Sequence, residues 1–162
     1  MKDVPAYYWK FLWEWEGTAY ENDPDDPGGA TKFGIDQRSH PNVDIRHLTE
    51  AKAKDIYRKD YWRKIKGGDL PEPLNVVVMD IAVNNGSGRA AKWLQELVGT
   101  TPDGVIGPIT VAASQRTGPM DVISLLDRRE DFYRAIAKGR MAKFLKGWLN
   151  RNNALRKLTV NA

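Results

Sequence analysis

Apolar side chains recur at Val4, Tyr7, Tyr8, Phe11, Leu12 and Trp15, a helical spacing that predicts a first helix. Asp3 and Pro5 read as its cap and first turn. Trp9 and Trp13 fall on the other side, so this helix is covered on more than one face, and Gly17 is its natural stop. From residue 18 to 35 the helical period is lost and Pro and Gly punctuate the chain, which predicts a loop or short hairpin. Within it Thr31, Phe33 and Ile35 alternate, as in a short strand. Thr49 caps a second helix reaching to about Trp62, and residues 67–73 form a linker. Leu74, Val77, Val78, Ile81, Ala82 and Asn85 mark the face of a central helix ending at Gly86. Further helices are predicted over 89–98, from Pro108 to about Arg116, and from Pro119 to about Lys138, with a turn over 101–107. A last stripe, Ala137, Met141, Phe144, Leu145 and Trp148, is interrupted near Gly139. The expected architecture is mainly α, six or seven helices, with at most a small β-hairpin near residues 18–36.

The length of 162 residues suits one domain with a sizeable core, and 41% hydrophobic residues makes disorder a poor reading. No internal repeat or domain-sized linker divides the chain. With no cysteine, disulfides, thiol catalysis and cysteine-ligated metals drop out. His40 and His47 stand near Pro41 in a poor metal constellation and read as surface histidines. Pro27 and Gly34 fall where a calcium loop wants acidic ligands, so no metal and no other cofactor is implied. Lys2, Asp3, Lys10 and Glu14 interrupt the N-terminal apolar residues, leaving no clean core of a secretory signal. The apolar run 76–79 is far too short to cross a bilayer.

Charge is uneven. The net charge is +4 overall, but residues 128–162 hold ten Lys/Arg against two Asp/Glu, a net of +8, leaving about −4 for residues 1–127. The basic end alone suggests a polyanionic partner. Without a basic-aromatic motif it is weak support for nucleic acid, so no nucleic-acid partner is expected.

The densest chemistry lies in residues 15–35. Glu16 ends the aromatic helix, an acidic loop carries Asp25 and Asp26, and Thr31 follows six residues after Asp25. One carboxyl on an apolar wall and another in a polar loop is the division of roles that glycoside hydrolysis uses. The aromatic stripe and the C-terminal end of the helix dipole both favour a protonated Glu16, as a proton donor requires. Glu14 flanks the same stripe, and helical phase alone does not choose between them. Gly17 and the loop leaving beside Glu16 favour Glu16. The second carboxylate is Asp25 or Asp26, to stabilise the oxocarbenium-like state or activate water. Either can instead support a proline-rich turn.

The strings Glu16-Gly17-Thr18-Ala19-Tyr20, Asp26-Pro27-Gly28-Gly29 and Thr31-Lys32-Phe33-Gly34-Ile35 resemble the signature of glycoside hydrolase family 108, small peptidoglycan hydrolases that include phage endolysins. Thr18 and Ala19 depart from its Gly-Gly-Tyr pattern. Leu48-Thr49, Asp60-Tyr61-Trp62, residues 80–86, Leu94-Gln95 and residues 103–108 agree in order, so the resemblance runs from about residue 5 to at least 148. The lysozyme-like spacing favours Asp25 and the family string points at Asp26. The resemblance implies a lysozyme-like single catalytic domain hydrolysing the β-1,4 bond between N-acetylmuramic acid and N-acetylglucosamine. Glu16 would be the general acid, and Thr31 would orient water.

Tyr20, Tyr61, Trp62 and Asn85 are candidates for the sugar cleft, and Gly28 and Gly29 would let backbone approach a pyranose. For Tyr61 and Trp62, at helical spacing, core packing is the favoured reading. A lytic transglycosylase and a non-catalytic peptidoglycan-binding or secretion accessory protein are the alternatives. The implied setting is synthesis in a host cytoplasm, release through a holin and action on the wall by a monomer. The apolar stripe of the basic segment at about 137–158 has two readings, packing on the domain core with solvated lysines outside, which is favoured, or contact with anionic lipid or lipopolysaccharide.

Overall fold

The computed structural model describes residues 2–160. They fall into two compact units: Pro5–Asp60, and the chain from Tyr61 onward joined by the residues before Pro5. Among the described residues, seven α-helices and one two-stranded sheet make a mainly helical, lysozyme-like fold.

In the first unit, α1 (Ala6–Glu16) follows Pro5, whose backbone supplies the N-cap position. The N-cap position is Pro5 rather than Asp3, whose carboxylate accepts the Val4 N–H at 2.8 Å. Tyr8, Phe11 and Leu12 bury one side of α1, and Trp9 buries another, stacked on Trp13 at 5.8 Å between ring centres. Full burial of Leu12 alone stabilises by about 1.5–3 kcal/mol. Gly17 ends the helix at φ 79°, its N–H returning to the Trp13 carbonyl.

The small hairpin expected near residues 18–36 is present. β1 (Thr31–Lys32) and β2 (Ile35–Asp36) pair antiparallel, Thr31 opposite Asp36 and Lys32 opposite Ile35. Phe33 is not an alternating strand residue but the first of two turn residues, at φ 53°, with Gly34 at φ 73°. Two positive φ values match the right-handed twist of a tight hairpin. An aromatic residue there is unfavourable, and packing overrides the local preference. α2 (Glu50–Tyr57) starts at Thr49, whose hydroxyl accepts the Lys52 N–H at 3.2 Å. It ends five residues earlier than expected, continuing as a π-helical turn over Arg58–Trp62.

The second unit is built around α3 (Leu74–Asn85). Every residue from Leu74 to Ala82 is buried, as befits a helix apolar all round. α4 (Ser87–Val98), α6 (Pro119–Ile136) and α7 (Leu145–Thr159) pack on it, and α5 (Pro108–Ser114) packs on α4. Asp80, fully buried on α3, pairs with Arg129 at 2.9 Å and Arg151 at 2.8 Å. Residues 67–73 begin as a short 3-10 turn, Gly67–Asp69. The C-terminal stripe is divided: Gly139–Phe144 is a 3-10 segment, and only from Leu145 is the chain α-helical. Among the described residues no helix is long and apolar enough to cross a membrane.

Candidate active site

Glu16 is the last residue of α1 and is half-buried, whereas Glu14 is exposed. The hairpin turn comes directly against it. A Cβ on Gly34 would stand 2.8 Å from Glu16 Oε2, 2.9 Å from Glu16 Cβ and 2.6 Å from the Tyr57 hydroxyl. The turn can therefore lie over the glutamate only because position 34 carries no side chain.

An aromatic wall holds the turn in place. The Phe33 ring meets Trp13 edge-on at 5.0 Å, and Trp13 meets Tyr57 edge-on at 5.7 Å. Tyr57 is buried and its hydroxyl donates to the Phe33 carbonyl at 2.7 Å. Trp13 Nε1 donates to Glu50 at the start of α2, at 2.9 Å. Aromatic pairs at such distances add about 0.5–1.5 kcal/mol each beyond burial, enough to offset an aromatic residue at positive φ. Tyr57 and Gly34 escape a reading of the sequence as site residues. The only local signal was Gly34 itself, inside the Thr-x-x-Gly-Ile string.

The acidic loop is closed at its base by a bridge: Glu21 N–H donates to Thr31 O at 2.8 Å, and Thr31 N–H to Glu21 O at 2.7 Å. Inside it the aspartates differ. Asp23 Oδ1 accepts the Asp25 N–H and Asp26 Oδ1 accepts the Gly28 N–H, both at 2.9 Å, each an Asx turn. The carboxylate of Asp25 is exposed and has no protein partner among the described residues. Thr31 is half-buried in β1, its backbone committed to Glu21.

Gly28 is packed internally rather than open to a ligand. A Cβ there would stand 3.3 Å from both Asp26 Oδ1 and Asp36 Cβ. Gly29, at φ 74°, has only Gln37 Cβ at 3.8 Å and is the more open of the two. Tyr20 is half-buried with the Arg46 guanidinium over its ring at 5.3 Å.

His40 is not the plain surface histidine expected. It is half-buried, with Nε2 2.9 Å from Asp60 Oδ2 and Nδ1 3.3 Å from the Asp36 carbonyl. It thus ties the chain after β2 to the π-helical turn. His47 is exposed beside Asp44, and its hydrogen bond holds the Asp44 carboxyl below the usual carboxylate range.

Three other candidates belong to the second unit. Trp62 is buried, its indole N–H donates to Lys2 O at 3.1 Å, and its ring lies where a Gly67 side chain would be. That makes Trp62 a core residue with no face left for a sugar. Tyr61 is half-buried, and Asn85 Oδ1 accepts the Tyr133 hydroxyl at 3.4 Å. No group of three His, Cys, Asp or Glu placed to hold a metal occurs among the described residues.

Residues 9–86 match the family described as glycosyl hydrolase 108, and residues 89–153 match a predicted peptidoglycan domain. The solved structure of Brucella abortus SagA is 35% identical, with 94% of this chain and 91% of that one covered and a TM-score of 0.79. No curated protein matches. A glycan-cleaving enzyme with a peptidoglycan-recognising half is the class these matches define. The chain belongs to glycosyl hydrolase family 108, and peptidoglycan is its partner.

Proposed function

We propose that the protein is an N-acetylmuramidase, cleaving the β-1,4 bond between N-acetylmuramic acid and N-acetylglucosamine. Glu16 delivers the proton to the leaving oxygen. The observation carrying this reading is the half-buried position of Glu16 at the end of α1, close under the Gly34 turn. A proton donor needs restricted hydration and a fixed position.

Asp25 is the second carboxylate. Asp26 already accepts the Gly28 N–H and holds the loop, while Asp25 keeps its acceptor capacity for the developing positive charge or for water. The Thr31 hydroxyl orients that water, and Tyr20 and Gly29 border the sugar.

The lytic setting is a phage endolysin acting as a monomer after holin release. This part rests on the family resemblance. Contact with an anionic envelope narrows to the 3-10 corner. Ile136, Met141 and Phe144 are exposed there by 37%, 40% and 44%, beside the exposed cations Arg140, Lys143 and Lys146. The buried side chains of α7 are Arg151, Asn152 and Leu155, so the rest of the helix packs inward.

Mass spectrometry of digested sacculi tests the bond and the chemistry together. A muramidase leaves N-acetylmuramic acid at the reducing end. An anhydro sugar would make the enzyme a lytic transglycosylase, and a reducing N-acetylglucosamine would place the cut at the other linkage.

A further inference from the structure

The turn after α4 has the features of a second binding site. Gln95, buried on α4, spends its side chain on this turn. Its Nε2 donates to Asp103 Oδ1 at 2.8 Å, Val105 O at 3.0 Å and Thr110 Oγ1 at 3.3 Å, and its Oε1 accepts the Gly104 N–H at 2.9 Å. Asp103 Oδ1 also accepts the Val105 N–H at 3.0 Å. The turn is thus held from inside by one amide.

Despite that rigidity two aliphatic side chains stand in water here, Val105 on the turn and Ile109 in the first turn of α5. Val105 is 71% exposed and Ile109 is 78% exposed. Both line an open cavity of about 300 Å³, together with Thr100, Thr101, Asp103 and Pro108. Single exposed aliphatics are ordinary, but a fixed pair around a cavity is a recognition surface. The Val105 N–H and the Gln95 amide hold the Asp103 carboxyl below its usual range, so it remains a carboxylate. The Gln95 amide and the Val105 N–H both reach its Oδ1. None of the lining residues is aromatic, so the cavity lacks the flat face that a pyranose ring stacks on. Lys92, whose stem lies 3.3 Å from where a Gly104 Cβ would stand, adds a cation next to the turn.

We propose that this cavity binds the peptide stem of peptidoglycan, Val105 and Ile109 covering alanyl methyl groups while Asp103 Oδ2 receives the amine of the stem's diamino acid. Lys92 faces the carboxylates of the same peptide. The assignment rests on peptidoglycan being the substrate, and it gives the non-catalytic half a ligand separate from the glycan strand.

The test is an NMR titration of the full-length protein with a sugar-free tetrapeptide, L-alanyl-γ-D-glutamyl-meso-diaminopimelyl-D-alanine. Saturable shifts centred on residues 100–110 are expected. V105S/I109S should weaken binding by roughly tenfold or more. With the alanyl N-terminus blocked in both peptides, acetylation of the diaminopimelyl side-chain amine should weaken binding without touching the protein. M120S, at a side chain also 71% exposed but outside the cavity, should change nothing. No saturable binding at millimolar peptide overturns the proposal. So does unchanged affinity of the acetylated peptide or of the double variant, or displacement of the same signals by chitooligosaccharide instead. Binding is read without hydrolysis, so its failure would leave the muramidase reading standing.

Discussion

Glu16 Oε2 lies 2.8 Å from the point where a Cβ on Gly34 would stand. Glu16, the proposed proton donor, and the hairpin turn are fitted to each other at one atom that the chain omits. The acid's position thus depends on a turn eighteen residues further along, and on the aromatic wall that keeps this turn in place.

Gly34→Ala should therefore damage both stability and activity. Any L side chain at φ 73° costs about 1–2 kcal/mol, and this one also collides with Tyr57 and Glu16. Gly99 is the comparison, with φ 78° but nothing within 4 Å. Its alanine variant should bear the backbone cost alone and keep wild-type turnover. Thermal melts and sacculus clearing measure both. Equal behaviour of the two variants would mean that the close approach is not needed.

Removing only the Tyr57 hydroxyl, as Tyr57→Phe, leaves the Phe33 carbonyl without its 2.7 Å donor. An unmet buried acceptor costs about 1–3 kcal/mol. With the turn loosened over the acid, kcat should fall more than KM changes. A variant that melts lower yet turns over normally would confine Tyr57 to a structural part.

Asp25→Asn and Asp26→Asn should separate cleanly. Asparagine at 26 still accepts the Gly28 N–H, so the loop and most of the rate survive. Asparagine at 25 removes the free carboxylate and should abolish most turnover. The reverse order in steady-state assays would move the second carboxylate to Asp26.

The apolar residues were enough to find α1, α4 and α6, each of which buries part of its own surface, and α3, which is buried throughout from Leu74 to Ala82. Glu16 and the acidic loop are candidates from the sequence alone because they lie close together in it. Phe33 was not legible as a turn residue. Its alternation with Thr31 and Ile35 mimics a strand, and its left-handed turn position is held by Trp13 and Tyr57, which no local pattern names. The Asp80, Arg129 and Arg151 cluster was equally hidden, since its members are brought together from three helices.

Asp80→Asn tests that cluster. Two buried guanidinium groups would lose their carboxylate, and breaking a buried pair this way costs roughly 3–5 kcal/mol. Urea denaturation should show that loss as an earlier midpoint. A change under about 1 kcal/mol would mean that the guanidiniums find other partners.

The central claim is that Glu16 donates the proton, and clearing of purified sacculi by Glu16→Gln tests it most directly. The substitution keeps size and hydrogen bonding but removes the transferable proton, so the rate should fall by about 10²–10⁴-fold with the melting temperature little changed. Exposed Glu14→Gln is the companion variant and should clear at the wild-type rate. Near wild-type clearing by Glu16→Gln, or loss of clearing in Glu14→Gln alone, would contradict the assignment.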